Sequence, residues 1–191
     1  MALNSIVGDP AAESYIAVAD ADTFHANLLN TAWAAAVLAT KEAALRRATS
    51  YIDNVYRPRF VGVRTNRRLQ ALEWPRTGAY YSAPPVGDMP YGLGGASYSG
   101  LYGYDTIAVN AIPVEIANAT CEAALREVTD PGSLNPDLEK GGAITHRLKA
   151  GSVEVEYRGG TSALTVYTAI SRALSGLLTP ANPYSANLGR A

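Results

Sequence analysis

Ala44, Ala48, Tyr51 and Val55 recur at spacings of four, three and four, and Leu45 with Ile52 widens the same stripe. That is the period of an amphipathic helix, with Glu42, Arg46, Arg47 and Asp53 on the remaining face. Pro58 closes the element, because the residue before a proline is driven out of the helical region. A second helix is predicted after Ile112. Pro113 suits the first helical position, and Ala117, Thr120, Cys121, Ala124, Leu125 and Val128 follow at helical spacing until Asp130-Pro131-Gly132. Its small residues permit close packing against the first helix.

Upstream, Tyr15 to Val18 reads as a short strand or an extended lead-in. Asp20 and Asp22 suit a helix start, where carboxylates accept unpaired backbone N–H groups, and that helix carries Phe24 and Leu28 inward. Downstream, Ile144–Leu148 and Val153–Tyr157 are separated by Lys149-Ala150-Gly151-Ser152. Val153, Val155 and Tyr157 alternate with Glu154 and Glu156, which predicts a β-hairpin. A last helix turns Val166, Ile170, Leu174 and Leu177 inward and ends before Pro180.

Two stretches have neither period. Residues 57–76 are rich in arginine, with one possible helical turn around Leu69 to Leu72. Residues 78–104 mix tyrosine with glycine, proline and serine, which reads as a long loop or extended arm. The expected fold is mainly α: a small helical bundle with a β-hairpin and a long Tyr/Gly-rich loop or arm. A single helical domain spans 1–178, with 79–110 as the inserted arm, and 179–191 form a C-terminal tail.

Composition narrows the classes. The 191 residues are 48% hydrophobic and 17% charged, enough for a real core. A net charge of −1 gives no whole-molecule field toward nucleic acid, so any DNA contact must come from a local basic patch. Cys121 stands alone, which excludes an intrachain disulfide framework. The first ten residues lack the basic and apolar regions of a signal peptide. The longest apolar run, Ala32 to Ala39, is far short of the roughly 20 residues of a membrane span. The expectation is a soluble protein made in the cytoplasm, with no membrane contact.

Catalytic chemistry has little to stand on. His25, His146 and Cys121 are too far apart in sequence for a zinc pattern. Gly92-Leu93-Gly94-Gly95-Ala96-Ser97 resembles the start of a dinucleotide fingerprint, but Ser97 replaces its last glycine and no strand–helix context surrounds it. Ser97 and Ser99 do not form a nucleophile elbow, and Glu154 with Glu156 fit a solvated strand face. No catalytic residue, metal or cofactor is expected, and the chain does not read as an enzyme.

Two features remain as candidate contact surfaces. The first is the cluster Arg57, Arg59, Arg64, Arg67, Arg68 and Arg76, opposed only by Glu73 and interspersed with Tyr56, Phe60 and Trp74. Cations with aromatic faces suit single-stranded nucleic acid, a protein interface or channel lining, or a solvated loop pinned by a buried Trp74. The second is the set Tyr80, Tyr81, Tyr91, Tyr98, Tyr102 and Tyr104, which fits either a partner-contact arm or an insertion packed on its own domain.

The order of segments resembles a known family. The stretches are Ser14–Asp22 (SYIAVADAD), Ala43–Asp53 (AALRRATSYID), Gln70–Gly78 (QALEWPRTG), Ile112-Pro113, Leu138–Gly142 (LEKGG) and Val153–Tyr157 (VEVEY). They resemble phage proteins often labelled DnaT-like single-stranded-DNA-binding proteins, which are similar in length and pattern to head–tail connector, or neck adaptor, proteins of tailed phages. The likeness covers most of 13–178; residues 79–110 and the last residues depart from it. It implies a structural subunit in the virion neck, assembled as a homo-oligomeric ring of roughly a dozen copies, a cyclic heterologous arrangement. The implied partners are the portal protein, a downstream neck or tail protein, and packaged double-stranded DNA in the channel. The arginine cluster would face DNA or the portal. The alternative is a single-stranded-DNA-binding protein of phage replication.

Overall fold

The computed structural model describes residues 2–81, 106–135, 145–150, 153–158 and 167–179. Helices dominate them: α1 (Val18–Asn27), α2 (Thr31–Ala35), α3 (Leu38–Tyr56), α4 (Val114–Thr129) and α5 (Thr168–Ala173). Strands β1 (Val63–Arg64) and β2 (Arg76–Thr77) form one antiparallel pair, and β3 (Thr145–Ala150) and β4 (Val153–Arg158) form another.

α3 follows from the stripe in the sequence, with one rotation. Ala44, Leu45, Ala48, Tyr51 and Ile52 are buried as expected, but so are Thr49, Asp53 and Tyr56. Val55, expected inward, is 46% exposed. The buried face drifts toward Asp53 because partners from outside the helix draw that carboxylate in, as described below. Each fully buried Leu or Ile contributes roughly 1.5–3 kcal/mol of hydrophobic stabilisation.

α4 packs chiefly against α3 and α5, and also touches α1 and α2. A helix with neighbours on several sides can bury bulk on few of its positions, which is why small residues line it. Ile116, Ala119, Thr120, Cys121, Ala123 and Ala124 are buried, while Ala117, Leu125 and Val128 are only half-buried. Pro113 is the residue before the first helical position, one earlier than expected. The Thr120 hydroxyl is satisfied by donating to the Ile116 carbonyl at 2.7 Å.

α1 starts at Val18, and no side chain caps it. Asp22 does not serve the helix start. It accepts from Trp33 Nε1 at 2.7 Å and from Lys41 Nζ at 2.8 Å, tying α1 to α2 and α3. His25 and Ala21 are the buried residues of α1, and Leu28, expected inward, is 53% exposed. The segment before α1 forms no strand: Tyr15 and Ile16 lie in a bend, and Ala17 is extended.

β3 and β4 bear out the hairpin and lengthen it. Lys149 and Ala150, expected in the connection, are strand residues, and Ala150 pairs with Val153. The last helix is shorter than its pattern. α5 ends at Ala173 and a 3₁₀ turn, Ser175–Leu177, continues it, with Ile170, Leu174 and Leu177 fully buried. Phe60 then bridges Leu178, and Thr179 N donates to the Arg59 carbonyl at 2.8 Å, so the arginine segment meets the chain following α5. Val166 and residues 180–191 lie outside the described residues. No helix among the described residues is long and apolar enough to cross a membrane.

Candidate nucleic-acid interface

Residues 57–78 leave the end of α3, turn outward and return through β2, held from inside by groups far away in sequence. The Tyr15 hydroxyl donates to Asp53 and accepts from the backbone N–H groups of Glu73 (3.1 Å) and Trp74 (3.3 Å). The second Asp53 oxygen accepts from Glu73 N at 3.1 Å. Gln70 closes the loop on itself: its Oε1 accepts from Asn66 N, and its Nε2 donates to the carbonyls of Leu72 and Pro75. Gly62 is required where β1 begins. Its φ is +78°, and a Cβ there would lie 2.5 Å from the Thr77 carbonyl oxygen.

Glu73 anchors the arginines. Its carboxylate is 2.8 Å from Arg57 Nε, 2.8 Å from Arg76 Nη1 and 3.9 Å from Arg64 Nε. Arg76 is buried, lies over the Phe60 ring at 5.8 Å, and also donates to the carbonyls of Val61, Gly62 and Glu73. Arg59 holds the Thr179 carbonyl with both Nε and Nη2 at 3.2 Å.

Arg67 and Arg68 differ from the other four. They sit on the 3₁₀ turn Arg67–Leu69 at the outer end of the loop, both exposed, and neither side chain has an ion pair or hydrogen bond among the described residues. Arg67 adopts a left-handed φ of 51°, a conformation that persists only where the surroundings enforce it. The Gln70 bond to Asn66 N and the Asn66 side-chain bond to the Gly8 carbonyl flank the turn. Leu69 (76% exposed) and Val63 (64%) add apolar surface to the same loop.

The cluster of six therefore separates by depth. Arg76 is interior, Arg57, Arg59 and Arg64 brace the loop, and Arg67 with Arg68 remain exposed. Tyr56, Phe60 and Trp74 are buried rather than offered as stacking surfaces, which for Trp74 is the alternative of a loop pinned by a core tryptophan. Phe60 and Trp74 meet edge to face at 5.8 Å, and the Tyr56 hydroxyl pairs with Ser171 Oγ at 2.8 Å. They fill the core beneath the loop, where burying a large ring outweighs presenting it to solvent.

Of the tyrosine set, Tyr80 bridges Thr106 and the Tyr81 hydroxyl donates to Glu115 at 2.5 Å, so both pack on this domain. Tyr91, Tyr98, Tyr102 and Tyr104 lie outside the described residues. Tyr15, Asp53 and Gln70, which carry the loop, were not legible as functional. Asp53 read as a solvent-face residue, because nothing local signals a partner 38 positions away. His25 is buried as well, its ring 4.3 Å from that of Trp33, and burial holds its pKa below the ordinary histidine value.

Burial, with the nearby Glu73 charge, pushes Asp53 up to about 6 against the hydrogen bonds from Tyr15 and Glu73 N and the pull of Arg57. Burial likewise holds the Tyr15 hydroxyl well above the ordinary tyrosine value, helped by the Asp53 carboxylate. Because its folded pKa lies above the unfolded one, Asp53 takes up a proton on folding. The stability this uptake supplies is complete below the unfolded pKa and is lost as pH rises through about 6. Measured against Asp53→Asn, the urea-unfolding free energy of the wild type should rise by about 1 kcal/mol between pH 7 and pH 5. An unchanged gap would show that Asp53 titrates like an exposed carboxylate.

A family model described as "Putative DnaT-like ssDNA binding protein" matches residues 1–89 and 100–191. No curated protein and no solved structure matches the chain. The match is wider than the likeness read from the motifs. It leaves out only 90–99 rather than 79–110, and it runs to the C-terminus. It also overturns the head–tail connector as the main reading, since the matching family is one of single-stranded-DNA-binding proteins and nothing here supports a neck adaptor, a ring, or portal and tail partners. The reason is physical. Three of the segments that suggested the connector hold Tyr15, Asp53 and the Gln70–Arg76 turn, and together they build the loop's internal mount. Such segments record a shared fold and carry no information about assembly into a ring.

Proposed function

The chain belongs to the DnaT-like ssDNA-binding protein family, and from that premise we propose that it binds single-stranded DNA through the outer turn of the arginine loop, without catalysis. The observation that carries this reading is the state of Arg67 and Arg68: two exposed cations, unpaired among the described residues, on a turn whose base is locked by Asp53, Gln70 and Glu73. Cations already paired internally have little to offer a phosphate, whereas these two can displace the counterions of a strand. Rigid mounting lowers the ordering cost that binding would otherwise carry. Leu69, exposed on the same turn, gives a base edge apolar contact. With the net charge at −1, binding depends on this local patch and should be strongly salt-sensitive.

Fluorescence anisotropy of a labelled oligothymidylate, at low and at physiological salt, tests the reading. Binding at low salt that falls steeply with added salt is the expected result. The double variant Arg67→Glu/Arg68→Glu should weaken binding at least about tenfold and reduce the salt slope by about 1.4, at about 0.7 per lost phosphate contact on a single strand. Its melting temperature should match the wild type, because neither side chain has a partner among the described residues to lose. Absence of binding at low salt would remove the proposal.

A further inference from the structure

A second cationic site lies away from the arginine loop. α4 carries Leu125, Arg126 and Thr129 toward its C-terminal end, and the chain then turns through Asp130 and Ser133. With Tyr167, which precedes α5, these residues line an open groove of about 390 Å³. The Arg126 guanidinium lies over the Tyr167 ring at 5.4 Å, and the Tyr167 hydroxyl donates to the Ser133 carbonyl. Arg126 Nε and Ser133 Oγ are both buried, and neither has a hydrogen-bond partner among the described residues. Arg126 has no ion pair among the described residues, and Asp130, exposed at the rim, does not supply one.

A half-buried guanidinium with an unsatisfied N–H is costly, and the face of one tyrosine ring offsets only part of that cost. Arginine can only donate, and the serine hydroxyl beside it can donate as well, so the missing partner is an acceptor bearing negative charge. A phosphate matches the fork of the guanidinium. The volume exceeds that of a phosphate alone, and the Leu125 side chain and Tyr167 ring give a sugar or base an apolar wall. We propose that this groove is a nucleotide subsite, with Arg126 and Ser133 holding the phosphate and Leu125 with Tyr167 bordering the nucleoside. The choice of a nucleotide rests on the single-stranded-DNA reading; the anion site itself rests on the two orphaned donors. The nucleotide could belong to a DNA strand or be free, and the test separates the two.

The full chain is titrated with thymidine monophosphate and with thymidine by isothermal calorimetry and NMR, and with a labelled oligothymidylate by anisotropy. The monophosphate should bind and thymidine should bind far more weakly. Arg126→Gln should abolish monophosphate binding, Arg126→Lys should restore part of it, and Ser133→Ala should weaken it several-fold. Ser133→Ala keeps the test decisive if Arg126→Gln unfolds. If the nucleotide is part of a strand, Arg126→Gln should also lower oligonucleotide affinity several-fold and reduce the salt slope by about 0.7. Monophosphate binding without oligonucleotide binding would keep the groove, assign it to a free nucleotide and remove the single-stranded-DNA reading. Oligonucleotide binding that Arg67→Glu/Arg68→Glu weakens, with no monophosphate binding and no effect of Arg126→Gln, would overturn the groove and leave that reading standing. Monophosphate binding unchanged in both Arg126→Gln and Ser133→Ala would also overturn it.

Discussion

Glu73→Ala should destabilise the chain by about 3 kcal/mol, the lower end of what breaking a buried ion pair costs. Glu73 is 5% exposed and takes Arg57 and Arg76 at 2.8 Å each. Its removal leaves Arg76, 6% exposed, as a buried cation without a counterion. The estimate sits at the low end because Arg76 would keep the Val61 and Gly62 carbonyls as acceptors. Arg57, 58% exposed at its side chain, can return to water and adds little. At roughly 2–4 °C per kcal/mol for a chain of this size, the melting temperature should drop by about 10 °C. Thermal and urea unfolding followed by circular dichroism would measure it. A loss below about 1 kcal/mol would mean that Glu73 behaves as a surface carboxylate, and the loop would lose its proposed anchor.

Trp74→Ala should cost as much or more, about 3–5 kcal/mol, through lost apolar transfer and the cavity left behind. Trp74 is 1% exposed and packs edge to face on Phe60. The companion variant separates shape from polarity. Trp74 Nε1 is buried without a hydrogen-bond partner among the described residues, so Trp74→Phe gives up no bond seen there and removes an unsatisfied donor. It leaves a smaller cavity than alanine does and should cost clearly less than Trp74→Ala. Equal losses for both variants would show that the indole N–H is satisfied in solution, by water or by a residue outside the described ones.

The arginine segment shows how far folding can sort residues that look alike in the sequence. Six arginines within twenty residues of one another suggest one basic surface, and three aromatics among them suggest stacking platforms. Folding sorts them by depth. Arg76 is spent on Glu73 and backbone carbonyls, Arg59 on Thr179, and Tyr56, Phe60 and Trp74 on the core, which leaves Arg67 and Arg68 outward. Likewise Arg126 and Tyr167 read as unremarkable positions in two separate helical segments, and only their convergence makes a groove.

From the sequence alone, α3, α4, the hairpin and the buried trio Ile170, Leu174 and Leu177 could be placed, because each depends on side-chain periodicity within one short segment. Tertiary structure decided which charges are internal and which remain exposed. Tyr15 meets Asp53 across 38 residues and the Glu73 backbone across 58, separations over which no local pattern carries a signal. Burial raises the cost of every unpaired charge or polar group, so the pairs that form are chosen by three-dimensional proximity, and the proposed function rests on what they leave unpaired.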